Sequence, residues 1–273
     1  MELTIGGVKS TSLNERSERF TAILWGPAKS GKTTLASTAP GPILYLMFDP
    51  DGAASLKRND ADCVIDLSKA PDSVVSKFVD PNSSDMKAIE NLAKNNEFTT
   101  LVLDSLTSLG NKALVHGIAL SQATKQGATS NIMFPGLVGY GAKNIIVNRT
   151  VANLLAITQR HNKNFITIGH EDAGKTNDKG DIVKQTLMLG SSLVVEIPKD
   201  MSEVWYMQDT NGKHEILLRP RYPLSPMGSR MFDTRTKSSF FWKYDPITGE
   251  GTGIKHWLDT WAKNEYNKIS IPT

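Results

Sequence analysis

Apolar residues gather in four short runs, each ending on glycine or a polar side chain. Residues 20–26 (FTAILWG) pass without a charge into Gly26. Pro42 to Phe48 leads to Asp49 and Asp51, Thr99 to Leu103 leads to Asp104, and Phe165 to Ile168 leads to Gly169 and His170. Runs of this length without polar alternation predict strands buried on both faces, as in a parallel sheet. Helical patterns lie between and around them: Gly31 to Ala39, stopped by Pro40-Gly41; Asp85 to Asn95; Leu106 to about Lys125; and about Gly141 to His161. In the last of these, Val147, Val151, Leu154 and Leu155 stand at i, i+4, i+7 and i+8, which is one helical face. Strand alternating with helix predicts an α/β fold with right-handed crossovers, a mostly parallel twisted sheet flanked by helices. Ligands of such sheets bind outside the carboxyl ends of the strands.

The pattern changes after about residue 190. Glu203 to Met207 and His214 to Leu218 flank the turn sequence Asp-Thr-Asn-Gly at 209–212, which predicts a hairpin and antiparallel strands added in the C-terminal third. Ile254, Trp257, Leu258 and Trp261 then recur at helical spacing, with Thr252 available as N-cap. A terminal amphipathic helix follows, either docked on the core or open to a partner. The expected division is an N-terminal extension over 1–19, a main domain over 20–250, and the amphipathic helix and tail over 251–273.

Composition narrows the classes. With 273 residues, 39% of them apolar and 22% charged, the chain can bury a full core, which excludes disorder for most of it. A single cysteine, Cys63, excludes an internal disulfide and a cysteine-based zinc cluster, and points to a reducing, cytoplasmic compartment. The first twenty residues lack a basic patch followed by an apolar run, and no 18-residue apolar stretch occurs. Neither export by a signal peptide nor a membrane partner is expected. The formal charge of +3 is too small to imply a nucleic-acid partner, so any such role must come from local patches.

The chemistry begins at the end of the first run. Gly26, Pro27, Ala28, Lys29, Ser30, Gly31, Lys32 and Thr33 match the phosphate-loop pattern G-x-x-x-x-G-K-[ST] without deviation. Glycines there let successive backbone N–H groups aim at phosphate oxygens, the lysine bridges the β- and γ-phosphates, and the threonine hydroxyl ligates Mg²⁺. Thr34 continues the loop. By residue frequencies a chance match arises in roughly 1% of chains this long, and the strand before and helix after lower that further. Leu101-Val-Leu-Asp104 is a buried strand delivering a carboxylate, which suits the second Mg²⁺ contact. Hydrolysis needs a further group to position water in line with the γ-phosphate. Asp49 and Asp51 end the second strand, next to the phosphate-loop strand in the usual order; Asp51 is the preferred candidate, although Asp-Pro-Asp-Gly is also strong turn chemistry. His170 and Glu171, at the end of the fourth strand, are candidates to sense the γ-phosphate.

These residues resemble the RecA-like branch of P-loop ATPases, and more closely its phage-encoded nucleotide-binding proteins, some of which are single-strand annealing or recombination ATPases. The resemblance rests on the phosphate loop through Thr34, Asp49-Pro-Asp-Gly, Leu101-Val-Leu-Asp-Ser-Leu-Thr-Ser-Leu, Tyr140-Gly141 opening a long helix, and Ile166-Thr-Ile-Gly-His-Glu. It covers about residues 20–210. It implies a RecA-like core, ATP with Mg²⁺, homo-oligomers with ATP at subunit interfaces and, in recombination members, single-stranded DNA. The family's catalytic carboxylate falls on Asp51. Recombinases commonly have glutamate there, and glutamine where this chain has His170-Glu171; a compact annealing or accessory ATPase suits the chain better than a complete recombinase.

Such ATPases often insert a basic residue from a late strand across the interface. Arg219 and Arg221, two residues apart after a predicted strand, are the candidates, ahead of Arg230. For DNA, Asp172 to Gln185 offers Lys175, Lys179 and Lys184 on a polar loop, and 121–139 offers Lys125, Met133 and Phe134. Three functions compete: a DNA-stimulated ATPase, a P-loop switch or loader acting on a protein, and a nucleotide kinase. The last lacks an identifiable lid and arginine-lined acceptor pocket.

Overall fold

A computed structural model describes residues 4–5, 8–9, 18–50, 52–56, 61–190, 192–245 and 248–272. In chain order the elements are β1 (Thr4–Ile5), β2 (Val8–Lys9), β3 (Thr21–Gly26), α1 (Lys32–Ala36), β4 (Ile43–Met47), β5 (Cys63–Asp66), α2 (Ser76–Val79), α3 (Ser84–Lys94), β6 (Thr100–Asp104), α4 (Leu106–Gln122), α5 (Gly136–Arg160) and β7 (Asn164–His170). There follow β8 (Lys175–Thr176), β9 (Ile182–Lys184), α6 (Leu193–Lys199), β10 (Glu203–Thr210), β11 (Lys213–Leu217), β12 (Gly228–Ser229), β13 (Ser239–Trp242) and α7 (Ile254–Lys263).

The main sheet runs β13-β11-β10-β3-β7-β6-β4-β5, with β12 also on β10. Its six strands from β10 to β5 are mutually parallel, and β11, β12 and β13 add antiparallel to one side. The expected parallel sheet with antiparallel additions in the C-terminal third is therefore present. One detail of order differs from expectation: β4, the second predicted strand, is not beside β3, because β7 and β6 stand between them.

Continuous apolar runs arise because both faces of the sheet are covered. Ile23 and Trp25 of β3 and Leu101 and Leu103 of β6 point to one core, shared with Leu106 and Leu109 of α4 and Val147, Val151 and Leu154 of α5. Their neighbours Ala22, Leu24 and Val102 point to the other, shared with Leu35 of α1, Trp205, Phe232, Phe240, and Trp257 and Trp261 of α7. The terminal helix thus docks on the core, Trp257 lying 5.8 Å from Trp205 and 5.4 Å from Phe240 between ring centres.

Several boundaries differ from the sequence expectation for tertiary reasons. Helix α1 ends at Ala36 rather than Ala39, its last turn tightened by Thr38 N–H donating to Leu35 O and Ala39 N–H to Ala36 O. Helix α5 starts at Gly136, so Tyr140-Gly141 lies inside it. It packs closely on α4 at Gly117, where a Cβ would stand 2.9 Å from Ala142 Cβ and 3.3 Å from Gly139 O. Thr252 does not cap α7. Gly253 holds that position, and the Thr38 hydroxyl, from the turn after α1, accepts Ile254 N–H at 2.9 Å. The segment 172–185 is not an irregular loop but carries the antiparallel pair β8–β9, closed by Asn177, whose side chain accepts from Lys179 N–H and Asp181 N–H. Among the described residues no helix is long and apolar enough to cross a membrane.

Candidate functional site

Strand β3 delivers the phosphate loop at its carboxyl end. Gly26 has φ 146°, and a Cβ there would stand 2.0 Å from Met207 O on β10, so the neighbouring strand leaves room for glycine alone. The loop turns back through Lys29 and Gly31, with φ 63° and 87°. Lys32, 5% exposed, curls into the loop and donates to Gly26 O at 3.1 Å, to Pro27 O, and to Ser30 Oγ at 3.3 Å. Burial pulls its pKa down to about 8, against the attraction of Asp104, Glu171 and Asp49. An anion entering the loop meets an ammonium already stripped of most of its water, which strengthens their attraction.

Facing the loop, Asp104 closes β6. Its Oδ2 accepts the Thr33 hydroxyl at 2.8 Å, joining residues 71 positions apart. Burial lifts Asp104 to about 6, and the charge of Asp49 adds to the lift while the Thr33 bond opposes it. A threonine hydroxyl beside a carboxylate is a hard-oxygen donor pair, which fits Mg²⁺ in the company of phosphate oxygens and water. The residues present therefore fit the ion that a phosphate loop implies.

Asp49 comes from just beyond β4. Its Oδ1 accepts the hydroxyl of Ser105 at 2.9 Å and that of Ser108, and its Oδ2 lies 3.2 Å from His170 Nε2. Burial alone would raise its pKa, but the bonds from His170, Ser108 and Ser105 outweigh it and hold Asp49 below the usual carboxylate range. It is thus an ionised, firmly oriented base. The same Ser105 hydroxyl caps α4 by accepting Ser108 N–H, so the start of that helix also fixes the carboxylate.

These groups line one cleft of about 550 Å³, which Ala28, Lys29, Gly31, Lys32, Thr33 and Thr34 share with Asp49, Asp104, His170 and His214. Gly26 and Pro27 take part through their carbonyls, and Ser30 through its bond to Lys32. Asp51 lies outside the described residues. Glu171 accepts the Tyr206 hydroxyl at 2.8 Å, and its charge acts on Lys32 although it does not line the cleft. Arg219 and Arg221 are exposed and do not line the cleft of their own chain. Strand β11 ends at Leu217, so they do not share one face of a strand, and Arg219 donates to Thr234 O at 3.0 Å. Since β11 runs antiparallel to β10, both arginines follow its end away from the phosphate edge. Arg230 is paired with Glu18 at 2.9 Å. Lys175, Lys179 and Lys184 are exposed on or between β8 and β9. Met133 and Phe134 stand 78% and 74% exposed before α5, with Lys125 also exposed.

Sequence reasoning passed over Ser105, Ser108 and His214. The two serines carried a signal, a cap position and its i+3 neighbour directly after Asp104. His214 carried none, because only the register of the β10–β11 hairpin brings it to the loop.

No curated protein matches the chain. Among solved structures, a KaiC-like protein from the hyperthermophilic archaeon Pyrococcus horikoshii is similar at 14% identity over 83% of this chain and 86% of that one, with a TM-score of 0.42. The RadB recombinase is similar at 15% identity over 83% and 88%, with a TM-score of 0.40. The family model described as AAA domain matches residues 18–244. Because that span is more than half of the chain and holds the phosphate loop and every strand of the main sheet, the chain belongs to the AAA-domain family.

Proposed function

We propose that the chain is a Mg²⁺-dependent ATPase that works on single-stranded DNA, in annealing, recombination or repair of the phage type. The observation that carries the catalytic part is the convergence of Lys32, Thr33, Asp104, Asp49 and His170 on one cleft at the carboxyl edge of the sheet. Backbone N–H groups of the loop and the Lys32 ammonium hold the β- and γ-phosphates. Thr33 and Asp104 hold Mg²⁺, which when bound neutralises charge on the phosphate oxygens. Asp49 orients the attacking water and accepts its proton, and His170 keeps that carboxylate in place. Asp49 takes this role in preference to Asp51 because its orientation is fixed by three side chains.

The DNA part is supported by continuity of the chain. The exposed pair β8–β9, bearing Lys175, Lys179 and Lys184, begins five residues after His170, so lysines bound to a phosphate backbone pull directly on a cleft residue. Homo-oligomers with ATP at the interface complete the proposal: Arg219 and Arg221 face away from their own cleft and act on a neighbour's γ-phosphate. The second reading, a switch acting on a protein partner, is favoured by one observation. Ile132, Met133, Phe134, Leu137 and Ile145 leave exposed apolar surface on and before α5.

An ATPase assay with and without single-stranded DNA separates the two. DNA action requires turnover to rise several-fold and retention to weaken steeply with salt. Unchanged turnover with no retention at low salt leaves the protein-directed switch.

A further inference from the structure

Strand β11 brings a second candidate phosphate contact to the loop. The hairpin turns through Asn211 and Gly212, with φ 56° and 74°, and pairs Asp209 with His214. That register puts His214 on the same sheet face as Ile216, two residues on, which is buried in the core that α1 also enters. Trp242, its partner on β13, packs beside it with ring centres 5.8 Å apart. Held in this way, the imidazole lies against Gly31. Its Cδ2, Nε2 and Cε1 atoms are each 3.3 Å from where a Cβ on Gly31 would stand, so the ring lies face-on against that glycine, in the lining of the cleft, with no hydrogen bond to Nε2 among the described residues.

The other nitrogen faces a carboxylate. His214 Nδ1 is buried, has no hydrogen-bond partner among the described residues, and lies 3.8 Å from Asp209 Oδ2. Asp209 is itself fixed, its Oδ1 accepting Gly212 N–H at 2.9 Å across the turn. An imidazole nitrogen that carries hydrogen donates to a phosphate oxygen, and Nε2 is the nitrogen not turned to Asp209. We propose that His214 is a phosphate-binding residue of this site, donating from Nε2 to the phosphate chain of a nucleoside di- or triphosphate on the side of the loop opposite Asp104. The inference rests on the nucleotide reading above and adds to it a contact from the hairpin. The length and register of β10–β11 then matter to nucleotide affinity.

The test measures binding of a fluorescent ATP analogue, and its displacement by ATP and by inorganic tripolyphosphate, to wild type, His214→Phe, His214→Leu and His214→Gln. Phe and Leu keep apolar packing on Trp242 and Gly31 without a donor, while Gln keeps a donor near the Nε2 position. The expected result is roughly tenfold weaker binding of both ATP and tripolyphosphate for Phe and Leu, with melting temperature kept and with Gln recovering most of the loss. Unaltered affinity in Phe and Leu overturns the proposal. So does a loss seen with ATP and not with tripolyphosphate, which places the ring on the base or ribose. A wild type that retains no nucleotide, or a Lys32→Ala variant that retains it equally well, overturns the reading of the site itself.

Discussion

Three charged side chains at the cleft answer burial differently because of what each one bonds to. Lys32 is drawn down to about 8, and its partners are neutral carbonyls and a hydroxyl. Asp104 is pushed up to about 6, having a single hydroxyl donor and a second carboxylate nearby. Asp49, with His170 and two serines, stays below the usual range. Asp49 is therefore held ionised and oriented by its own hydrogen bonds, without help from a cation, which suits it to position a water molecule. Asp49→Asn is expected to lower kcat by roughly 100-fold or more with KM changed only a few-fold, while Asp51→Asn stays within a few-fold of wild type. Steady-state kinetics of the two variants checks this, and the reverse pattern gives the role to Asp51. The phosphate loop itself was legible in eight consecutive residues. The fixing of Asp49 was not, since the side chains that bond it come from other elements.

Elements were read well where a single apolar period dominated, and less well where packing decided. The four predicted parallel strands all form, but β5 and α6 are short, and β5 is exposed along its whole length at the sheet edge, so neither carried a strong pattern. Strand β10 contains a buried polar anchor that sequence could not reveal. Glu203 is 1% exposed and accepts Trp205 Nε1 at 2.7 Å, Arg230 N–H at 2.9 Å and Met231 N–H at 2.7 Å, tying β10 to the chain that follows β12. Burial lifts it to about 6 from an ordinary 4.5, in spite of those donors. A carboxyl raised in the folded state binds more protons folded than unfolded between those values, so its contribution to stability falls as pH rises through them, by about 2 kcal/mol. Denaturant midpoints at pH 4.5 and pH 7 should show this drop in wild type, and a smaller one in Glu203→Gln; Asp104 adds a drop of the same sign to both proteins. For α7, Trp257 joins Trp205, Phe232 and Phe240 in one aromatic cluster, and Trp257→Ala should cost about 3–5 kcal/mol by chemical unfolding.

For the whole molecule, the order of strands sets which loops meet. With β7 and β6 between β3 and β4, the ends of three crossovers converge opposite the phosphate loop, and Asp49 reaches the cleft from two strands beyond β7. The antiparallel addition on the other side brings the β10–β11 hairpin to the same edge and carries Arg219 and Arg221 away from it. If those arginines act in trans, Arg219→Ala and Arg221→Ala should each lose activity alone and regain part of it on mixing with Lys32→Ala subunits, since a mixed interface pairs an intact loop with an intact arginine. Absence of recovery across mixing ratios removes the trans role.

Local chemistry sufficed for the phosphate loop, the buried parallel strands, the carboxylate at Asp104 and the terminal amphipathic helix. Each depends on residue type and spacing within one segment: glycines that permit the loop's turns, apolar runs that need cover on two faces, a helical stripe of tryptophans. The tertiary structure alone decided the place of β4 in the sheet, the bonds that orient Asp49, the capping of α7 by Thr38 and the approach of His214 to Gly31. Those join segments far apart in sequence, and pairing register and side-chain packing, rather than any local preference, choose which groups come within bonding distance.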